Sequence, residues 1–173
     1  MKLNISAGKQ TWPGFFCIDA VQHPKATRAL DLVFAFEFEP SGKLKAQIPL
    51  DTGCADEVHS YHFIEHVHQW EAPAVLREFR RLLKPGGNLI LELPDIAKAC
   101  RNLIKGMGDQ MSMWPLYGDG SHKDPYMCHK YGYTPSTITR LLRESGFTGI
   151  NVLPPQTHGR KLNRDMRIEC KST

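Results

Sequence analysis

The stretch MKLNISAGKQTWPGFFCIDA (1–20) decides the fold predicted for this chain. Residues 2–5 form a short run typical of a β-strand, and residues 6–8 form a turn of small side chains, where the backbone can approach a ligand without a Cβ in the way. Residues 15–18 are a second apolar run that ends on Asp19. In a doubly wound sheet, this turn and this acid lie at the carboxyl ends of neighbouring strands. Such folds bind nucleotide-like ligands there, and a carboxylate can accept bonds from both ribose hydroxyls.

Length and composition predict one soluble globular domain. The chain has 173 residues, of which 41% are hydrophobic and 23% are charged, and this is enough to bury a single sizeable core. No apolar run approaches the ~18 residues that span a bilayer, and the N-terminus lacks the long apolar core of a signal peptide. We therefore expect a cytoplasmic protein that makes no contact with a membrane.

The cysteines and the charges exclude several kinds of site. The 5 cysteines are scattered, odd in number and without a Cys-x-x-Cys pair, so we expect reduced thiols and neither a disulfide framework nor a cysteine-rich zinc site. The net charge is only +4, and basic residues alternate with acidic ones along most of the chain. The basic cluster RKLNRDMR (160–167) favours a solvated surface over a nucleic-acid patch, while nucleic acid stays open as a partner.

Hydrophobic periodicity predicts the remaining elements. Apolar residues recur at helical spacing in 71–83 and 96–105, and Thr134 and Pro135 open a third helix that Gly146 closes. Further strands are predicted at 30–38, 55–63, 88–93, 149–155 and 165–172, the last two as an antiparallel pair, with the tip of a hairpin between the first two. The stretch 106–133 has little periodicity but many aromatic, glycine and histidine residues, which predicts a lid over a site.

Four segments resemble, in the right order, the motifs of the class I S-adenosylmethionine-dependent methyltransferases, and of the type 11-like members in particular. They are LNISAGKQTWPGFFCID (3–19), IPLDTGCADEVHSYHFIEHV (48–67), LREFRRLLKPGGNLILELPD (76–95) and KYGYTPSTITRLLRESGF (130–147). The resemblance implies an α/β fold: a doubly wound, mostly parallel seven-stranded Rossmann-like sheet in a single domain over 1–173, with the lid at 106–133. It also implies S-adenosyl-L-methionine as cofactor and a small-molecule methyl acceptor, without saying which acceptor.

The resemblance further implies a set of cofactor-binding residues, which are Asn4, Ser6, Ala7, Gly8, Asp19, Leu50, Asp51, Ser60, Tyr61 and His62. Residues 6–8 would line the methionine part, although family members usually have glycine at the position of Ser6. Asn4 stands where the family often has an acid, and its amide oxygen would still accept a bond from the cofactor amine. Asp19 matches the ribose-binding acid. Residues 50–51 match the segment that flanks the adenine, and residues 60–62 match the strand end beside the methionyl group.

Methyl transfer from a sulfonium needs mainly positioning and exclusion of water, with a general base only where the nucleophile carries a proton. In the lid, His122 and His129 are the candidates for contacting the acceptor or removing its proton, and a surface or packing role is the alternative for each. Glu65 and His66 are interpreted as a structural pair at a helix start. His62 and His66 would share a helix face, but we see no carboxylate at a compelling third position and expect no metal site.

Two other functions stay open. A non-catalytic binding or regulatory module with this fold would explain the altered turn at Ser6 and the expected lack of chain ahead of the first strand, where many relatives carry helices that cover the acceptor. A small dehydrogenase is the other, but the turn lacks the G-x-G-x-x-G spacing that would favour it. Calorimetry with S-adenosylmethionine against NAD separates the three. The sequence does not reveal the oligomeric state.

Overall fold

A sheet of seven strands organises the computed structural model, which describes residues 1–157 and 162–173. The strands are β1 (Lys2–Ile5), β2 (Phe16–Asp19), β3 (Leu32–Val33), β4 (Ala55–Tyr61), β5 (Leu83–Pro94), β6 (Phe147–Leu153) and β7 (Asp165–Ser172). Their order is β3-β2-β1-β4-β5-β7-β6, with β1 to β5 parallel and β7 antiparallel to both of its neighbours. This confirms the predicted mostly parallel α/β fold.

The described helices include four α-helices, which are α1 (Ala72–Leu82), α2 (Ile96–Ile104), α3 (Met113–Tyr117) and α4 (Pro135–Glu144). Short 3-10 helices lie at Ile64–His66, Gly120–His122 and Pro125–Met127. The predicted helices at 71–83 and 96–105 therefore form with small changes at their ends. Among the described residues, we find no helix that has both the length and the apolar character needed to cross a membrane.

The sequence correctly predicts how α4 begins and ends. Thr134 lies in extended backbone and its hydroxyl accepts from the backbone N–H of Thr137 at 3.2 Å, while the Thr137 hydroxyl accepts from the N–H of Thr134 at 2.9 Å. This reciprocal capping box satisfies two N–H groups that the first turn of a helix leaves unpaired. Pro135 lacks an N–H and fits the first helical position. Gly146 follows the helix at φ +87°, a backbone conformation that glycine adopts without a steric penalty.

The strand predicted at 30–38 shortens to β3, because its neighbour ends. Asp19 is the last residue of β2, and its carbonyl accepts from the N–H of Phe34 at 2.8 Å as the final bond between these two strands. Beyond Phe34 half-buried and exposed residues continue to alternate, but residues 34–37 belong to no strand. Phe38 pairs with Leu44 in an antiparallel bridge, which confirms the hairpin predicted between β3 and β4.

One face of the sheet is apolar and lies under α1 and α4. The helical spacing of α1 brings Val75, Leu76, Phe79 and Leu82 to a single side, and each of these is fully buried. They belong to the same buried cluster as the apolar residues of β1, β4 and β5 and as Ile138 of α4. The core therefore sits between the sheet and these two helices.

The opposite face of the sheet is polar. Glu92 of β5 is buried there and accepts from Arg167 Nη1 of β7 at 3.0 Å, from the backbone N–H of Gln156 at 2.8 Å and from the Thr157 hydroxyl. Arg167 also donates to Glu169 at 2.6 Å. These hydrogen bonds satisfy the polar atoms of the buried Glu92–Arg167 ion pair, as charges removed from water require.

Near β1, loops cover the polar face of the sheet. The described connections from β1 to β2 and from β2 to β3 contain no helix. Phe15 and Trp12 of the first loop pack edge-on against His59 of β4, with ring centroids 4.8 and 6.3 Å apart. Burial by these rings lowers the pKa of His59. The first loop thus replaces a helix as cover and leads from the turn at Gly8 straight into β2.

Candidate functional site

The turn after β1 and the acid after β2 meet at the carboxyl edge of the sheet. The backbone N–H of Gly8 donates to Asp19 Oδ2 at 2.6 Å, and the N–H of Ala20 donates to Asp19 Oδ1 at 2.6 Å. Each carboxylate oxygen keeps a second lone pair, so Asp19 can accept from two hydroxyls of a ligand as well. Ser6 and Gly8 have φ of +60° and +54°, so Ser6 occupies a left-handed conformation that favours glycine, the residue usual there in the resembling family.

Asn4 and Gly8 offer the features that the methionine part of S-adenosylmethionine would need. Asn4 is 1% exposed, and its Nδ2 donates to the carbonyl of Gln10 at 2.6 Å. Its Oδ1 is buried and has no hydrogen-bond partner among the described residues, a state that costs about 1–3 kcal/mol unless a donor arrives. A Cβ added to Gly8 would meet no heavy atom within 4 Å, so ligand atoms have room beside the turn. The residues present therefore fit this cofactor.

The structure does not bring Leu50 and Asp51 to this edge. They precede the amino end of β4, and the carbonyl of Leu50 accepts from Arg81 Nη1 of α1 at 2.8 Å, while Asp51 is exposed. Because β4 is parallel to β1, residues before β4 lie at the amino edge of the sheet, opposite the turn at Gly8. The predicted contact of these two residues with the adenine is therefore corrected. A sequence motif gives the order of residues along the chain, but not the edge of the sheet at which they lie.

Aromatic residues stand beside Asp19 instead, in stretches of the sequence that favour strands. Phe34 follows β3 next to Asp19, and its ring lies 5.4 Å from that of Phe36. The ring of Phe36 lies 5.3 Å from that of Phe63, which follows the carboxyl end of β4. These half-buried rings form an apolar wall that can stack with a purine. In the sequence, Phe34 and Phe36 alternate with other residues as in a strand. This alternation did not reveal that the strand would stop before them.

The three cofactor-binding residues predicted at the end of β4 lie in different places. Ser60 lies on the helix-covered face, where its hydroxyl is buried and without a partner among the described residues. Tyr61 lies on the polar face, with its hydroxyl 2.8 Å from His59 Nδ1 and its ring 5.2 Å from that of Trp12. His62 has φ +52°, which turns the chain sharply at the carboxyl edge.

His62 joins a row of charged groups that we call the Glu65 network, made of Arg164, Asp165, His62 and Glu65. Arg164 Nε donates to Asp165 Oδ1 at 2.9 Å, Asp165 Oδ2 lies 3.3 Å from His62 Nε2, and His62 Nδ1 lies 3.1 Å from Glu65 Oε1. Burial works to raise the pKa of Asp165, but its bonds to His62 and Arg164 lower that pKa to about 2. Burial likewise opposes ionisation of Glu65, yet the bond from His62 and the nearby histidines bring its pKa below the ordinary value.

Arg164 and Asp165 were not predicted as site residues from the sequence. They belong to the basic cluster at 160–167, for which a solvated surface was predicted, but Arg164, Asp165 and Arg167 are all buried. That prediction is wrong for these residues, and residues 160–161 lie outside the described ranges. Arg164 finds its partner in the next residue, while Asp165 meets His62 across about one hundred residues of chain, and no local pattern signals such a contact.

The segment 106–133 docks against Glu65. The backbone N–H groups of Lys130 and Tyr131 donate to the Glu65 carbonyl at 2.8 and 3.2 Å, and the segment contains α3 and two 3-10 helices where irregular structure was predicted. His129 Nδ1 lies 2.9 Å from the carbonyl oxygen of Pro115, and its ring is 4.8 Å from that of His66. Burial lowers the pKa of His129. The side chain of His122 lies outside the described part of the structure, so its predicted role stays a prediction.

Comparisons with known proteins bear on the family and the fold of this chain. The family model of the methyltransferase domain matches residues 10–152. Among the curated proteins, a search found no match.

Three solved structures share the fold over 99% of this chain. One is a SAM-dependent methyltransferase from Thermotoga maritima, a possible histamine N-methyltransferase, with 15% identity, 82% of its own chain covered and a TM-score of 0.63. Another is a SAM-dependent methyltransferase from Archaeoglobus fulgidus, with 16% identity, 85% covered and a TM-score of 0.64. The third is Burkholderia thailandensis 1,6-didemethyltoxoflavin-N1-methyltransferase with bound 1,6-didemethyltoxoflavin and S-adenosylhomocysteine, with 14% identity, 70% covered and a TM-score of 0.61. At these identities the likeness shows the fold alone.

Proposed function

This chain belongs to the methyltransferase domain family, and we propose that it transfers the methyl group of S-adenosyl-L-methionine to a small-molecule acceptor. The observation that carries the proposal is the contact of 2.6 Å between the Gly8 N–H and Asp19 Oδ2 at the carboxyl edge. A turn open to a ligand and a carboxylate lie side by side there, as nucleotide binding at this edge requires. The alternative of a non-catalytic module keeps the same site, and the comparisons do not favour it.

Three contacts would hold the cofactor. Asp19 would accept from the ribose hydroxyls, the unpartnered Oδ1 of Asn4 would accept from the cofactor ammonium, and Phe34 would stack with the adenine. When bound, S-adenosylmethionine supplies a methyl group already activated by its sulfonium. The protein then has to orient the acceptor in line with that methyl and to exclude water.

The acceptor would lie over the carboxyl ends of β4 and β5, under the segment 106–133. Support for this lid comes from its docking on the Glu65 carbonyl and from the way it carries His129 to the edge that holds Asp19. An acceptor that loses a proton needs a base, and an imidazole with a lowered pKa is neutral near pH 7 and can take one. His129 is the base we propose from the described side chains, and His122 is a second candidate.

Isothermal titration calorimetry tests the proposed cofactor. We expect S-adenosylmethionine and S-adenosylhomocysteine to bind with dissociation constants of about 1–10 μM, or roughly −7 to −8 kcal/mol, and NAD to give no heat. No heat and no thermal shift at millimolar cofactor would overturn the proposal. Incubation of the cofactor-bound protein with pools of small amines, alcohols and carboxylic acids then separates the two functions. Formation of S-adenosylhomocysteine supports transfer, whereas binding without transfer to any pool supports the non-catalytic module.

A further inference from the structure

Three side chains at the carboxyl edge have the composition of a transition-metal site. Among residues 1–157 and 162–173, Glu65, His66 and His129 are a group of potential metal ligands in which one ligand atom from each lies within 4.8 Å of the other two. Two imidazoles and one carboxylate suit Zn²⁺ and its first-row neighbours, whereas Mg²⁺ and Ca²⁺ prefer oxygen ligands alone. We propose that Glu65, His66 and His129 bind one divalent first-row transition-metal ion, with Zn²⁺ as the reference ion.

The hydrogen bonds of the two histidines prepare both rings for a metal. His66 Nδ1 lies 3.1 Å from the carbonyl oxygen of Cys128, and His129 Nδ1 lies 2.9 Å from that of Pro115. A carbonyl oxygen can only accept, so Nδ1 carries the proton in each ring and Nε2 keeps its lone pair. Backbone carbonyls hold metal-binding histidines in this way, because the bond fixes both the tautomer and the ring orientation.

Glu65 supplies an independent observation. The residue is 1% exposed, and its Oε1 lies 3.1 Å from His62 Nδ1. Its Oε2 is buried and has no hydrogen-bond partner among the described residues. A buried carboxylate oxygen without a partner is unfavourable, and a cation bound by Glu65 and the two histidines would satisfy it. His62 then acts as the outer partner that orients this carboxylate.

The chain connectivity makes the site conditional on the segment 106–133. Glu65 and His66 lie on the 3-10 helix directly after β4, while His129 comes from more than sixty residues further along the chain. Three protein ligands leave a tetrahedral ion with one open position, as in catalytic rather than structural zinc sites. Metal binding would also tie this segment to β4. It would occupy the Nε2 atom that His129 needs to act as a base, so His122 would be the base in the metal-bound protein. The rival explanation is a cluster in which a protonated imidazole donates to Glu65 Oε2 and no metal is needed.

Metal titration of the full chain separates these explanations and does not depend on methyl transfer. Protein stripped with EDTA is dialysed against ZnCl₂ and CoCl₂, bound metal is counted by mass spectrometry, and the visible spectrum of bound Co²⁺ is recorded. We expect one ion per chain, a Co²⁺ spectrum without a thiolate charge-transfer band, and no displacement by millimolar Mg²⁺. Glu65→Gln, His66→Ala and His129→Ala should each weaken binding by at least about tenfold, the size that even outer-partner changes reach.

The control is His68→Ala, because His68 is two residues from His66 but stacks on Trp70 instead. It should bind the metal like the unchanged protein. Circular dichroism and binding of S-adenosylhomocysteine check that each variant folds. If Glu65→Gln does not fold, His66→Ala and His129→Ala are sufficient for the test. The proposal is overturned by an absence of stoichiometric metal, by unchanged affinity in these two variants, or by a thiolate band that assigns the ion to cysteine.

Discussion

Replacing Asp19 by alanine should weaken binding of S-adenosylhomocysteine by about 2 kcal/mol, or roughly 30-fold, in calorimetry. The ribose hydroxyls would lose a charged acceptor in a partly buried site. The Gly8 N–H would also lose its partner at 2.6 Å, which loosens the turn that lines the methionine part. The affinity of Asp19→Asn should fall between those of the unchanged protein and of Asp19→Ala, because the amide oxygen can replace one of the two carboxylate acceptors.

Asp51→Ala is the matched control for this prediction. Asp51 resembles an adenine-flanking residue in sequence, but it is exposed at the amino edge of the sheet, beyond the reach of the turn at Gly8. We expect the affinity of Asp51→Ala for S-adenosylhomocysteine to match that of the unchanged protein. An unaltered dissociation constant in a folded Asp19→Ala variant, or an equal loss in Asp51→Ala, would show that the cofactor does not lie where we place it.

Phe79→Ala should lower the free energy of unfolding by about 3–5 kcal/mol in urea denaturation. Phe79 of α1 is 0% exposed, and its ring lies 6.2 Å from that of Phe36 and 6.4 Å from that of Phe63. The truncation removes apolar contacts and leaves a cavity that the sheet and α1 cannot close. Since Phe36 and Phe63 also form the wall beside Asp19, the same cavity weakens support for the cofactor site.

Tyr126→Ala supplies the comparison for Phe79→Ala. Tyr126 is an aromatic residue of the segment 106–133 with 87% of its surface exposed. Its truncation should change the free energy of unfolding by less than about 0.5 kcal/mol, as is usual for surface positions. If Phe79→Ala cost less than about 1 kcal/mol, the packing of α1 on the sheet would be wrong.

The parts of the fold that the sequence predicted well depend on short-range signals. The strand at residues 2–5 was placed to the residue, and α4 begins and ends where Thr134, Pro135 and Gly146 indicate. Caps act within about four residues, and the burial of a helix face repeats every turn, so both leave a pattern in the local sequence. The contact of Asp19 with Gly8 was also predictable, because adjacent parallel strands end at the same edge.

The parts that could not be predicted depend on contacts far apart in sequence. The strand predicted at 30–38 is cut short by the end of β2, which its own residues do not encode. Leu50 and Asp51 match a motif in order but lie at the wrong edge. The meeting of Glu65 with His129 and of His62 with Asp165 requires the folded sheet and the docked segment 106–133. Glu65 was therefore visible in the sequence, but its position beside His66 and His129 was not.

Hydrogen exchange followed by mass spectrometry, with and without S-adenosylhomocysteine, tests most directly the claim that the carboxyl ends of β1 and β2 bind the cofactor. We expect slower exchange in peptides covering residues 4–11 and 17–21, because bound cofactor would order the turn at Gly8 and the backbone around Asp19. We expect no change at residues 49–54, which lie at the amino edge. Unchanged exchange at the turn under saturating ligand, or protection confined to residues 49–54, would contradict it.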